Sequence, residues 1–221
     1  MSTRLVEVRE KVLKQNDLLA RALRAEFQQA GVYVASFVSS PGSGKTTLLE
    51  KLLSRLGEKH RVAALVGDLA TENDAARLAR AATQVKQITT GTICHLEAQM
   101  VQKALDGWTL DQLDFLFIEN VGNLVCPSSY DLGEKIRFVL LSATEGEDKP
   151  LKYPTIFNTA DVAVITKVDL ATAAEFDLEL ARRNIQSVRP GMRVFEVSAK
   201  KGQGMEDLLS FLATERAELR A

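Results

Sequence analysis

Long apolar runs are missing from this chain. None reaches the roughly 20 residues that a bilayer-spanning helix needs, which excludes a helical membrane protein. Net charge is nearly absent as well: 28 Lys and Arg stand against 29 Asp and Glu. Without a basic excess, nothing in the bulk electrostatics points to a nucleic-acid partner. Cysteine is scarce, with only Cys94 and Cys126, and so is histidine, with only His60 and His95. Two cysteines do not make a disulfide framework, and in a reducing cytosol they are buried hydrophobes, metal ligands or redox groups. Repeats and low-complexity tracts are also lacking. The first thirty residues mix Arg, Lys, Glu and Asp, which is not the pattern of a secretory signal, so the expected location is the cytoplasm.

What is present is an ordinary globular composition, 46% hydrophobic and 26% charged over 221 residues. That length suits one domain, or one domain with an appendage. Residues from about Thr3 to Gln28 read as one amphipathic helix, with Leu5, Val8, Val12, Leu19, Leu23 and Phe27 near one face. The expected division is therefore a helix over 1–30, packed on a domain over 31–221. After Gly31, short apolar runs alternate with helical patterns. Strands are expected at 33–39, 62–66, 115–118, 138–141, 162–165 and 194–197, and helices at 46–56, 73–82, 95–105, 173–188 and 205–218. Apolar strands alternating with helices predict an α/β fold with a mostly parallel sheet covered on both faces. Ligands of such sheets sit at the carboxyl ends of the strands.

One strand–helix junction reads Ser39-Ser40-Pro41-Gly42-Ser43-Gly44-Lys45-Thr46-Thr47. It fits the phosphate-binding loop pattern, except that Ser39 stands where the first glycine is usual. Small residues let backbone N–H groups turn toward a phosphate, and the helix N-terminus adds a positive dipole end. Lys45 supplies a charge to the β- and γ-phosphates and the Thr46 hydroxyl a ligand for Mg²⁺. Asp68 and Glu119 end two other strands and are expected to hold Mg²⁺, directly or through water. One of these two, or Asp74, is expected to orient the attacking water. Gly122 lets a backbone N–H approach the γ-phosphate. The expected switches are 68–74 and 119–126. Thr166-Lys167-Val168-Asp169 follows a strand, and the Asp169 carboxylate can accept from N1–H and N2–H₂ of guanine, donors that adenine lacks. Ser198-Ala199-Lys200, ending the last strand, completes a guanine-binding pattern. No arginine is seen in position to act as a finger in cis, a group worth about 10³–10⁵ in rate, so slow GTP turnover is expected.

Cys94-His95 and the distant Cys126-Pro127 have no standard ligand spacing, and on spacing alone they read as core packing or as a metal site. His60 lies in a charged turn and reads as solvated.

With these residues in place, the chain resembles the hydrogenase nickel-incorporation GTPases, the maturation factors of nickel–iron hydrogenase. The resemblance runs from Tyr33 to Leu212. It rests on Gly67-Asp68 with Thr71 and Asp74, on Gly91-Thr92-Ile93-Cys94-His95-Leu96, on Ile118 to Pro127, and on Glu145 to Pro154. It implies a P-loop GTPase of the dimerising class. It also implies a metal site at Cys94, His95 and Cys126 for Ni²⁺ or Zn²⁺, and cofactors GTP/GDP and Mg²⁺. The partners it implies are a second copy, promoted by GTP or metal, a hydrogenase accessory metallochaperone and the hydrogenase large subunit, without nucleic acid or membrane. Many members carry an N-terminal Cys-x-x-Cys or His-rich nickel motif that is not in this sequence, so no second, tighter nickel site is expected. Lys149 and Lys152 are open between a contact to nucleotide or partner and a solvated loop. Other readings are a P-loop kinase, a metal carrier whose nucleotide site is only structural, and a nickel GTPase serving urease or a cobalamin enzyme. Ser128 after Pro127, where the urease relatives have His, favours the hydrogenase branch.

Overall fold

A computed structural model describes residues 3–69, 73–82 and 84–219, with side chains from Glu10 onward. The Leu5 and Val8 side chains and Thr71 therefore lie outside the described residues. Seven parallel strands form one sheet: β1 (Tyr33–Ser39), β2 (Val62–Asp68), β3 (Gln84–Thr89), β4 (Phe115–Glu119), β5 (Ile136–Ser142), β6 (Val162–Thr166) and β7 (Arg193–Val197). Their spatial order is β3-β2-β4-β1-β5-β6-β7. The helices are α1 (Thr3–Ala30), α2 (Lys45–Leu56), α3 (Asn73–Leu78), α4 (Ala98–Ala104), α5 (Lys149–Lys152), α6 (Pro154–Thr159), α7 (Leu178–Val188) and α8 (Met205–Glu218). No helix is long and apolar enough to cross a membrane among the described residues.

The two-residue period of a strand sends alternate side chains to opposite faces. In β4, Phe115 and Phe117 join a cluster with Leu48, Leu49, Leu52 and Leu53 of α2 and Leu208 and Leu212 of α8. Leu116 and Ile118 join Ala20, Leu23 and Phe27 of α1 and Val101 of α4 on the other face. A third cluster packs Ile156 and Phe157 of α6 and Ile185 of α7 on Val139, Ala163 and Ile165. The alternation continues past the apolar residues: Glu119 turns to the α2 face, and Asn120 to the face of α1 and α4. This places the two residues at the site in different roles.

Several expected elements shift. Strand β3 departs from the expectation, because Gln84, Lys86 and Thr89 are polar and exposed at the sheet edge. Helix α3 ends at Leu78 rather than 82. Cys94 and His95 lie in a turn before α4, which begins at Ala98 rather than opening at His95. Helix α7 begins at Leu178 rather than 173, where the Asp177 carboxylate caps it by accepting from Leu180 N–H at 2.9 Å. Helices α5 and α6 form in a stretch with no expected element, each with a proline in its first turn, where a missing N–H costs nothing.

Candidate nucleotide site and metal centre

The phosphate loop leaves the central strand β1 and enters α2. Gly42 (φ 76°) and Gly44 (φ 88°) take left-handed backbone, a conformation costly for any residue with a Cβ. Three polar side chains brace the loop. Thr166 donates to the Ser43 carbonyl at 2.7 Å, Lys167 to the Gly42 carbonyl at 2.7 Å, and Lys45 to Ser39 Oγ at 3.1 Å. Ser39, in place of the usual glycine, thus engages the lysine that its own loop presents.

Thr46 donates to Glu119 Oε1 at 2.7 Å, and Lys45 Nζ lies 3.9 Å from the same oxygen. All three residues are buried. Burial pushes the Glu119 carboxyl up to about 7, against the opposing pull of the Lys45 charge and the Thr46 hydroxyl. Glu119 Oε2 is buried without a hydrogen-bond partner among the described residues. A buried carboxylate oxygen with no partner beside a hydroxyl and an ammonium fits a hard cation site. Asp68, at the end of β2, accepts from Leu69 N–H at 2.7 Å. Asp74 opens α3 and stands near enough to add a like-charge push to Glu119. Arg77 of α3 donates to Thr47 Oγ1 at 3.2 Å and to Glu50 at 2.8 Å. It is an arginine at the cradle whose role the sequence did not signal.

Next to the loop lies a cavity of about 190 Å³, lined by Gly44, Thr47, Thr166, Lys167, Asp169 and Ser198 through Lys200. Lys167 itself sits at φ 56°, which lets its stem lie along the cavity while its ammonium reaches the loop. Gly122 approaches the loop from the opposite side. A Cβ there would stand 3.0 Å from both Pro41 Cα and Pro41 N, so only glycine fits without a shift.

The segment after β4 then reaches a second centre. Cys126 and Cys94 bring their sulfurs to 2.9 Å as free thiols. With His95, their ligand atoms lie within 4.8 Å of one another. The hydrogen bond that the Cys94 thiol donates to Cys126 Sγ, together with burial, pushes the Cys94 thiol up. Burial holds the His95 imidazole down, against the pull of Glu97, whose carboxylate is 3.4 Å away. Both His95 nitrogens are buried, and despite the nearby Glu97 carboxylate neither makes a well-aligned hydrogen bond among the described residues. Two soft sulfurs and a neutral-leaning imidazole suit Ni²⁺, Zn²⁺ or Cu⁺. Asn120 Oδ1 accepts from Leu96 N–H at 3.0 Å and from Val121 N–H at 2.9 Å. Asn123 donates to the Cys94 carbonyl at 3.2 Å. The Tyr130 ring stacks on His95 at 4.0 Å between centroids.

Residues 33–196 match the CobW/HypB/UreG nucleotide-binding domain. The chain belongs to this family. It is 45% identical to the hydrogenase maturation factor HypB of Azotobacter chroococcum, over 99% of this chain and 72% of that protein. It is 43% identical to the hydrogenase/urease maturation factor HypB of Helicobacter pylori, over 99% of this chain and 91% of that protein. The crystal structure of HypB from Helicobacter pylori in complex with nickel superposes with a TM-score of 0.87 at 43% identity, covering 92% of this chain and 96% of that one.

The expected residues fall into three groups. Lys45, Thr46 and Glu119 meet directly. Thr166, Lys167, Asp169, Ser198, Ala199 and Lys200 share the cavity with Gly44 and Thr47. Cys94, His95 and Cys126 meet at the second centre. Lys149 of α5 reaches Ser40 Oγ of the loop at 3.4 Å and lies over the Tyr153 ring. Lys152 instead pairs with Asp148 at 2.6 Å on the surface. His60 packs edge-on to Phe115 at 5.2 Å rather than standing in solvent alone. Asn120, Asn123 and Tyr130 carry structural work at the second centre, and no local pattern in the sequence marks them.

Proposed function

We propose that this chain is a GTP-hydrolysing nickel-insertion factor for the maturation of nickel–iron hydrogenase, acting in the cytoplasm as a homodimer that GTP or metal promotes. The observation that carries the reading is the course of one short segment: Glu119 rests on Thr46 of the phosphate loop, and Cys126 of the same segment rests on Cys94. The names of the relatives, maturation factors for hydrogenase, and the nickel complex of the similar structure support the cargo and the client. The domain over 31–221 carries both sites, with the helix over 1–30 packed on it.

In this reading the loop from Pro41 to Thr47 holds the phosphates and Lys45 balances their charge. Thr46, Asp68 and Glu119 hold Mg²⁺, which when bound neutralises charge on the β- and γ-phosphate oxygens. Asp74 orients the attacking water. Asp169 accepts from guanine, the Lys167 stem lies along the base, Thr166 holds the loop to the base site, and Ser198-Ala199-Lys200 face the guanine O6. Gly122, packed on Pro41, senses the γ-phosphate, and Asn120 passes the movement to the turn that carries Cys94 and His95. Cys94, His95 and Cys126 hold the nickel cargo, with a second copy of the chain contributing the same thiolates across a two-fold axis. GTP closes the dimer and sets the site, and hydrolysis opens it. The nickel arrives from an accessory metallochaperone and leaves for the hydrogenase large subunit. Turnover is slow until a partner engages. The Helicobacter pylori relative bears the name hydrogenase/urease maturation factor, which favours urease as a second client.

Phosphate release tests the enzymatic half. The protein with Mg²⁺ and no acceptor should release phosphate from GTP and not from ATP, and Lys45→Ala should abolish the release. Release that requires an added phosphate acceptor would mark a kinase and overturn the reading.

A further inference from the structure

Helix α1 holds more than an apolar face. Asn16 is buried, at 5% exposure. Its amide N–H₂ donates to the Asp131 carbonyl at 2.8 Å, and its carbonyl oxygen accepts from Ala98 N–H at 2.9 Å. The two backbone partners fix the orientation of the amide, since a carbonyl only accepts and an N–H only donates. Ala98 opens α4, directly after the turn of Cys94 and His95. Asp131 follows Tyr130, whose ring stacks on His95, and lies a few residues beyond Cys126. Thus one side chain of α1 ties together the two stretches that carry the thiolates and the imidazole.

Two further groups make the tie rigid. Arg24, two turns on along α1, donates to both Asp131 carboxylate oxygens at 2.6 and 2.8 Å. Arg137 donates to the Tyr130 carbonyl at 2.7 Å and to the buried Glu134 at 2.8 Å. A buried amide, N–H or carbonyl left unpaired is costly, so Asn16 adds to the Asn120, Asn123 and Tyr130 contacts a polar tie that holds the two stretches in register.

We propose that Asn16 is a positioning residue for the Cys94, His95 and Cys126 metal centre, and that α1 is the strut through which the rest of the molecule sets the geometry of that centre. The proposal rests on the reading that these three residues bind nickel. The strut acts on the metal and not on the nucleotide, because Asn16 touches the Asn120 side of the sheet and no residue of the phosphate loop. Any partner that shifts α1 would then change nickel affinity without touching a ligand.

The test is a Ni²⁺ titration of the full chain, followed by thiolate-to-metal absorption, alongside GDP binding. Asn16→Leu removes both hydrogen bonds. Asn16→Asp keeps the bond from Ala98 N–H and sets an oxygen against the Asp131 carbonyl. Both variants should weaken Ni²⁺ binding about tenfold or more, the range for residues that orient metal ligands, and alter the absorption band, with GDP affinity within about twofold of the unaltered protein. Phe27→Leu, in the same α1 cluster but away from the polar tie, should lower thermal stability and leave the band and Ni²⁺ affinity as they were. If Asn16→Leu fails to fold, Asn16→Asp decides. Unchanged affinity and band in a folded Asn16 variant would overturn the strut alone. A missing band in the unaltered protein would overturn the metal reading beneath it.

Discussion

In the proposed reading Asp169 carries base choice, through two hydrogen bonds that a guanine offers and an adenine does not. Hydrogen bonds to a charged acceptor are worth about 1.5–3 kcal/mol each, so losing the charge and one acceptor is expensive. Asp169→Asn should weaken GTP binding about hundredfold or more, leaving the weak binding of ATP as it was, as measured by competition with a fluorescent guanine nucleotide. Equal loss for both nucleotides would take the residue out of base selection. The place of Asp169 beside the phosphate loop was legible in the sequence because its signal is local: it closes a four-residue pattern after a strand, and it lines the cavity next to the loop. The Cys94–Cys126 contact was not legible in this way. The two sulfurs come within 2.9 Å across 32 positions of sequence, and spacing carries no trace of a contact that β4 and the turn before α4 create. Only the likeness of whole runs to a known family pointed there.

At the scale of elements, glycines and polar ties set the joins between strands and helices. Gly204, at φ 68°, is the N-cap just before α8, and a Cβ there would overlap the Glu196 carbonyl of β7. Gly204→Ala should cost about 2–4 kcal/mol from strain and overlap together, seen as a lower urea midpoint; an unchanged midpoint would show that the β7–α8 join yields easily. Helix α1 is joined to the 131–134 loop by Asp131. Burial pushes its carboxyl up, but the Arg24 guanidinium and the Gly133 N–H outweigh burial and hold it below the usual range. A depressed carboxyl contributes stability that is full above its unfolded value, about 3.9, and is lost as pH falls through the lower folded value. Asp131→Asn should therefore flatten the fall of stability below about pH 4, in urea unfolding taken at successive pH values. A parallel fall in both proteins would remove the pair from acid stability. The sequence showed α1 as an element through its apolar spacing, yet could not show what its polar residues grip. It hid β3 because an edge strand with one solvated side lacks a continuous apolar run. It hid α5 and α6 because helices of 4 and 6 residues are too short to show an apolar period.

Across the whole molecule, the sheet order puts β1 between β4 and β5, so the phosphate loop and the end of β4 meet at the centre of one edge. Ligands in such sheets bind where the strand order reverses. The alternation of β4 then divides the work, with Glu119 toward the phosphate loop and Asn120 toward the turn of Cys94 and His95. Two sites joined by so short a segment are expected to share free energy, and linkage makes the effect mutual: if nucleotide alters metal affinity, metal alters nucleotide affinity by the same factor. The measurement that tests this most directly is a Ni²⁺ titration followed by thiolate-to-metal absorption, first with GDP and then with a non-hydrolysable GTP analogue. The account predicts that affinity or band shape differs between the two nucleotides, by about fivefold or more if the coupling is of the usual size, and that Cys126→Ala removes the difference. Identical titrations with the two nucleotides, or a nucleotide-dependent band that survives Cys126→Ala, would contradict it.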